Sequence, residues 1–230
     1  MAIDNCVDHI FDSGFLGVKI LKFCKTMAMP KTTHPTKSSL IECAADLLDK
    51  YRFDEITVEM VLDRSGISKG SLYHHFEDIY HLLEGAMIVR YARYVDTNIA
   101  ALQSLLSAAK TGEDFYLGLS QLSAITQGES MKRARQERAL TIGRAITSPR
   151  MSVLLQGEQQ RLTDALVQLI KDAQARKLCN PEIEAHALAV LMQAWTLGKI
   201  VDDLSENPVD NDAYLALVNR VIKEVFVPQN

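Results

Sequence analysis

At 230 residues, 47% of them apolar, the chain is long enough for one large or two small domains. No segment reaches the roughly 20 uninterrupted apolar residues that a membrane span needs, so no membrane partner is expected. The formal charge of -4, from 25 basic and 29 acidic residues, excludes a protein that coats nucleic acid indiscriminately, and any affinity for a polyanion must be local. Four cysteines, Cys6, Cys24, Cys43 and Cys179, have neither C-x-x-C nor zinc spacing. They read as reduced, inert thiols of a cytoplasmic protein, with redox sensing at Cys43 or Cys179 the lesser alternative.

Residues 1–30 read as an N-terminal extension, either disordered or upstream of the true start, because Met27 and Met29 stand just before the first regular element. Asp4, Asp8 and Asp12 precede Lys19, Lys22 and Lys25, the reverse of a secretory leader. The functional alternative is a basic arm from Lys19 to Lys37 that reaches a minor groove or phosphates. From Ser38 to Tyr51, Leu40, Ile41, Ala44, Leu47, Leu48 and Tyr51 recur at helical spacing and predict a supporting helix.

The run from Thr57 to Phe76, TVEMVLDRSGISKGSLYHHF, predicts two short helices joined by a tight turn. Val58, Val61 and Leu62 share one face, Thr57 caps the first helix, Gly66 supplies the positive φ that stops it, and Ser68 caps the second. In a helix-turn-helix the first helix crosses the DNA backbone and the second lays its N-terminal residues, here Lys69, Gly70 and Ser71, into the major groove. Leu72 and Phe76 are spaced to turn inward together. Asp78 caps a long helix with the stripe Ile79, Leu82, Leu83, Ala86, Met87, Tyr91 and Tyr94.

Thr111-Gly112, Gln127-Gly128, Ser148-Pro149, Asn180-Pro181 and Asn207-Pro208 then punctuate helices expected over 113–126, 129–146, 149–176, 181–204 and 210–226. No strand-like alternation occurs, so the fold is expected to be all-α. In this second part Lys132, Arg133, Arg135, Arg138 and Arg144 form the most basic segment. It reads as a solvated face, with neutralisation of acidic neighbours or attraction of an anionic effector as alternatives. Phe115, Tyr116, Leu119, Leu122, Met151, Leu154 and Leu155 can line a cavity but read first as plain core. Between Ala187 and Val201 the helix is too apolar to expose a face, and a wide stripe follows it from Tyr214 to Phe226. Leu191, Trp195, Gly198, Val201, Val218, Val221, Ile222 and Val225 are the candidate dimer-interface residues, a four-helix arrangement across two subunits. The alternative is a monomer with a central buried helix.

Gly66-Ile67-Ser68-Lys69 followed by Gly70-Ser71-Leu72-Tyr73-His74-His75-Phe76 resembles the DNA-binding domain of TetR-family transcriptional regulators. The resemblance covers about residues 36–83 by motif. It implies a three-helix DNA-binding domain over 31–83 and a helical effector-binding and dimerisation domain over 84–230. It also implies a homodimeric regulator, usually a repressor, that holds a palindromic double-stranded DNA operator and releases it to a small-molecule effector. Candidate DNA contacts are Thr57, Ser68, Lys69, Gly70, Ser71, Tyr73, His74 and His75. Lys69 suits guanine O6 and N7 or a phosphate, and Tyr73 and His74 stand where relatives touch phosphates. The His74–His75 pair reads poorly as a metal site, because adjacent helical residues point about 100° apart. Glu59 can read cytosine, but reads first as an acid favoured by the helix dipole. Ile79 replaces a lysine that relatives often use for a phosphate. With no nucleophile motif, phosphate loop or ligand cluster, no enzyme, cofactor or metal is expected. The rival reading is a TetR-like helical small-molecule or protein-binding module without sequence-specific DNA binding, and Ile79 and the acidic balance of the head favour it slightly.

Overall fold

The computed structural model describes residues 34–226; the N-terminal extension, with Cys6, Cys24, Lys19, Lys22 and Lys25, lies outside them. The described residues contain nine α-helices and no strand. They are α1 Pro35–Leu47, α2 Val58–Ser65, α3 Lys69–His75, α4 Ile79–Ala108, α5 Gly112–Gln127, α6 Lys132–Thr147, α7 Pro149–Ala175, α8 Ala185–Asp203 and α9 Asn211–Phe226. A 3-10 turn, Glu129–Met131, leads into α6. The fold is all-α.

Local chemistry sets most helix ends. Thr57 and Ser68 accept from Met60 and Ser71 amides at 3.3 Å each. Gly66 closes α2 at φ 68°, a conformation that costs an L side chain roughly 1–2 kcal/mol. Asp78 accepts from the His81 amide at 2.7 Å, and the His81 ring accepts back from the Glu77 amide, so α4 is capped from both sides. Thr111 and Asp114 form a reciprocal capping box at the start of α5.

Two helices, α1 and α8, differ most from the spacing-based expectation. Helix α1 begins at Pro35 behind His34, whose Nδ1 accepts from the Thr36 amide, and it stops at Leu47, leaving Tyr51 exposed outside the stripe. Helix α8 begins at Ala185 and not at Pro181. The Glu184 carboxylate takes the amides of His186 and Ala187 at 2.9 and 2.6 Å, a stronger cap than Asn180 before Pro181.

The chain divides into two compact units, one up to Arg90 and the other from Tyr91. The division falls later than residue 83 because Arg90 reaches back to α1, donating to the Ala45 carbonyl at 3.2 Å and pairing with Asp49. The first unit is cored by Leu40, Ala44, Val61, Leu72, Phe76, Leu82 and Leu83. Cys43 is buried there, and burial pushes its thiol pKa up.

In the second unit α7 packs on α8, α6 lies against both, and α9 covers α5. Phe115, Met151, Ile170, Leu188, Ile222 and Phe226 are its most buried apolar side chains. Cys179 is fully buried, and burial pushes its pKa up to about 11. Neither thiol is poised as a reactive thiolate.

The basic segment of α6 is only partly the solvated face that its composition suggests, for Arg133 is exposed but Arg135 and Arg138 are not. Arg135 is 2% exposed, forms a bidentate pair with Asp203 of α8 at 2.7 Å on both arms, and donates to the Thr126 and Gly128 carbonyls at 2.9 Å. It ties the ends of three helices together. Arg138 is also buried, its guanidinium carbon 4.2 Å from the centre of the Tyr94 ring. Both residues face inward because α6 is flanked by α7 and α8, which leaves it little surface for charge.

Candidate functional site

In the first unit the candidate DNA-binding residues gather on and around α3. Lys69 and Gly70 open that helix, exposed, and Ser71 beside them is half-buried with its amide held by the Ser68 hydroxyl. Tyr73 is 46% exposed, while Leu72 and Phe76 are buried as their spacing predicts. One side of α3 anchors it and the other offers Lys69, Tyr73 and His74 to solvent. Thr57 is exposed at the start of α2, and Glu59 lies exposed in the first turn of that helix.

Charge is distributed unevenly around this surface. Arg52 pairs with Asp54 at 3.2 Å and Arg64 with Asp46 at 2.9 Å, and Arg90 is taken by Asp49. The first two, being exposed, contribute little stability. Their consequence here is that three of the unit's guanidinium groups are already neutralised, whereas Lys69 has no carboxylate partner among the described residues. The slightly acidic composition of the region therefore hides a locally basic helix.

His75 is half-buried between two other rings, 5.0 Å from His34 and 5.0 Å from His74. Burial first, then the neighbouring His74, His34 and Lys37, hold its pKa below the ordinary histidine value. Lys37 also lies 5.6 Å from the Phe76 ring centre. Sequence reasoning did not place His34 at this surface and named Lys37 only as the end of a possible basic arm, since the packing of α1 against α3 is what brings them there. Ile79 is half-buried and supplies no donor at the start of α4, and Tyr80 beside it is exposed and stacks on Phe53.

In the second unit α8 leaves an apolar face uncovered. Ala187, Leu191, Ala194, Gly198 and Val201 are all exposed, at spacings of three and four residues, with Val201 at 76%. On α9 the exposed large apolar residues are Leu217, at 61%, and Val221. Trp195 and Val225 are half-buried. Val218 and Ile222 were expected at a subunit interface, but they are 7% and 1% exposed within the single chain. The α9 stripe is wide enough to serve two surfaces, and these two residues serve the subunit's own core.

The same unit encloses a cavity of about 70 Å³ lined by residues of α4, α5, α6, α7, α8 and α9. Leu119 and Leu122 of the sequence-based candidates line it; Phe115, Met151 and Leu155 are core, and Leu154 is exposed. Trp195, Arg138 and Ser123 complete its distinctive chemistry.

A capped, glycine-turned helix pair presenting a short exposed helix defines a helix-turn-helix arrangement by class. Residues 40–86 match the family model described as "Bacterial regulatory proteins, tetR family". The HTH-type transcriptional regulator UidR of Escherichia coli K12 is 21% identical over 192 residues, covering 78% of this chain and 87% of that protein. Among solved structures, a TetR-family regulator of Mesorhizobium loti superposes with a TM-score of 0.62 at 15% identity, covering 82% of this chain and 94% of the other. Salmonella enterica GusR superposes at 0.52 with 16% identity, covering 85% and 98%. Residues 40–86 thus carry a tetR-type helix-turn-helix domain, and the chain over most of its length is similar to TetR-family transcriptional regulators. No helix among the described residues is long and apolar enough to cross a membrane.

Proposed function

We propose that the protein is a cytoplasmic, homodimeric, ligand-responsive repressor, with residues 31–83 as the DNA-binding domain and 84–230 as the effector-binding and dimerisation domain. Lys69, Gly70 and Ser71 enter the major groove, with Lys69 reading guanine or holding a phosphate. Tyr73 and His74 hold phosphates, His75 reaches DNA from the end of α3, and Thr57 and Ser68 present their capped turns to the backbone. The observation that carries this reading is the exposure of Lys69, Tyr73 and His74 on one side of a helix anchored by Leu72 and Phe76.

A single short helix with few cations gives modest affinity, so two half-sites are needed. The uncovered face formed by Leu191, Gly198 and Val201 on α8, with Val221 and Leu217 on α9, serves as the self-association surface. Gly198 favours it, since a Cβ added there meets nothing within 4 Å in the single chain and a partner helix can approach closely. Trp195 and Val225 border this face. A Val201→Glu, Leu217→Glu double variant is expected to sediment as a folded monomer and to bind operator at least about 100-fold more weakly, the avidity a second half-site provides. A variant that stays dimeric, or a monomer that binds operator as tightly, contradicts the assignment.

Effector control requires the ligand to prefer the conformation that does not fit the operator. A coupling of about 1–3 kcal/mol lowers operator affinity some 5- to 150-fold.

The position of His75 adds a pH dependence. In the free protein its pKa is held down, whereas a nearby phosphate favours the imidazolium, so DNA binding takes up a proton. Operator affinity is therefore expected to rise as pH falls through about 6.5, and His75→Gln to flatten that rise. Equal slopes in both proteins, measured by fluorescence anisotropy at constant salt, would remove His75 from the interface.

A further inference from the structure

Two arginines of α6, three positions apart, are buried with opposite outcomes. Arg135 meets Asp203 and two carbonyls. Arg138 is 9% exposed, its Nε is buried without a hydrogen-bond partner, and no carboxylate among the described residues pairs with it. Its one close partner is the face of Tyr94, which attracts a cation but neutralises none of its charge. The acids on the neighbouring helices, Asp96 and Glu158, are both held by Arg161. A guanidinium cannot shed its proton to escape burial, so Arg138 carries an uncompensated charge in a largely apolar place.

That place is the cavity. Arg138 lines it beside Leu102, Leu119, Leu162 and Trp195, and the Ser123 hydroxyl, which also lines it, is a second buried polar group without a partner. Four other polar liners are satisfied internally. Thr126 and Thr196 donate to carbonyls one turn back, Asn98 donates to the Tyr94 carbonyl, and Gln193 donates to Thr163 and the Ala189 carbonyl. The buried polar atoms left without a partner at this cavity are thus the Arg138 Nε and the Ser123 hydroxyl, both beside apolar side chains. The space holds about five water molecules at roughly 10–15 Å³ each, comparable to a single ring or a short acyl chain.

We infer that this cavity takes a small organic carboxylate, its anionic end on Arg138 and Ser123 and its apolar body against Leu119, Leu162 and Trp195. The inference rests on the effector-binding role proposed above and names the chemical class of the ligand. Recognition works by supplying the counter-charge that the chain withholds from Arg138. A neutral isostere leaves the guanidinium unpaired and gains only the apolar contacts.

Trp195 is the only tryptophan of the chain and lines this cavity, so its fluorescence responds to a ligand bound there, provided the titration is run at a protein concentration where the oligomeric state does not change. The full-length protein is titrated with benzoate, phenylacetate and hexanoate, and with the primary amide of each. At least one acid is expected to shift the Trp195 emission saturably and to bind at least about tenfold more tightly than its amide. Arg138→Met is expected to fold, since it removes an unpaired buried charge, and to equalise acid and amide. The acid–amide comparison needs no variant, so it stands even if Arg138→Met does not fold. Acids no tighter than their amides, no shift with any acid at millimolar concentration, or undiminished acid binding by folded Arg138→Met would each overturn the assignment. Carboxylate binding through Arg138 that left operator affinity unchanged would support the anion site and overturn effector control.

Discussion

Asp203→Ala is expected to lower the stability of the helical second unit by about 3–5 kcal/mol, the cost of leaving one member of a buried ion pair without its partner. The two side chains are 2% and 3% exposed, so water cannot replace the lost carboxylate without opening the packing around α6 and α8. Arg135 would retain the Thr126 and Gly128 carbonyls, which satisfy hydrogen bonds but carry no net charge. At roughly 2–4 °C per kcal/mol for a domain of this size, the melting temperature followed by circular dichroism should fall by about 10 °C or more. An Arg135→Met, Asp203→Leu double variant should recover much of the loss, because replacing both charges removes the unpaired group. A drop of only a degree or two in Asp203→Ala would show that the pair is solvated and that the helix junction is held by apolar contacts alone.

Removing Lys69 and the Tyr73 hydroxyl together, as Lys69→Ala with Tyr73→Phe, is expected to abolish measurable operator binding while leaving the melting temperature within error. Each lost contact to a base or phosphate costs roughly 1–3 kcal/mol, and a dimer loses it in both half-sites. The fold should not notice, since Lys69 is exposed and Tyr73 keeps its ring; α3 is held by Leu72 and Phe76. A variant that unfolds would indicate that these side chains support the head. A folded variant that binds operator normally would move recognition to other residues of the first unit.

The parts of the fold legible from sequence were those fixed by neighbours along the chain. Thr57, Gly66, Ser68 and Asp78 act on amides or a φ angle within a few residues, and the helices they bound lie where the spacing puts them. Leu72 and Phe76 are buried for the same local reason. What the sequence could not reveal depends on partners far along the chain. Nothing local distinguishes Arg135 from Arg138, since the Asp203 that one meets and the other does not is supplied by α8. Val218 and Leu217 are adjacent apolar residues, yet one is interior and the other exposed, because the apolar arc of α9 is wider than the contact with α5 requires. The gathering of His34 and Lys37 around α3 follows from helix packing and left no trace in the motif.

The central claim is tested most directly by selecting random duplex DNA with the purified full-length protein at two salt concentrations and sequencing what is retained. The account predicts a two-fold symmetric site whose enrichment weakens at the higher salt and vanishes with Lys69→Ala, Tyr73→Phe. A pool with no enriched sequence at either salt, from folded protein, would contradict operator recognition and leave the chain as a TetR-fold binding module.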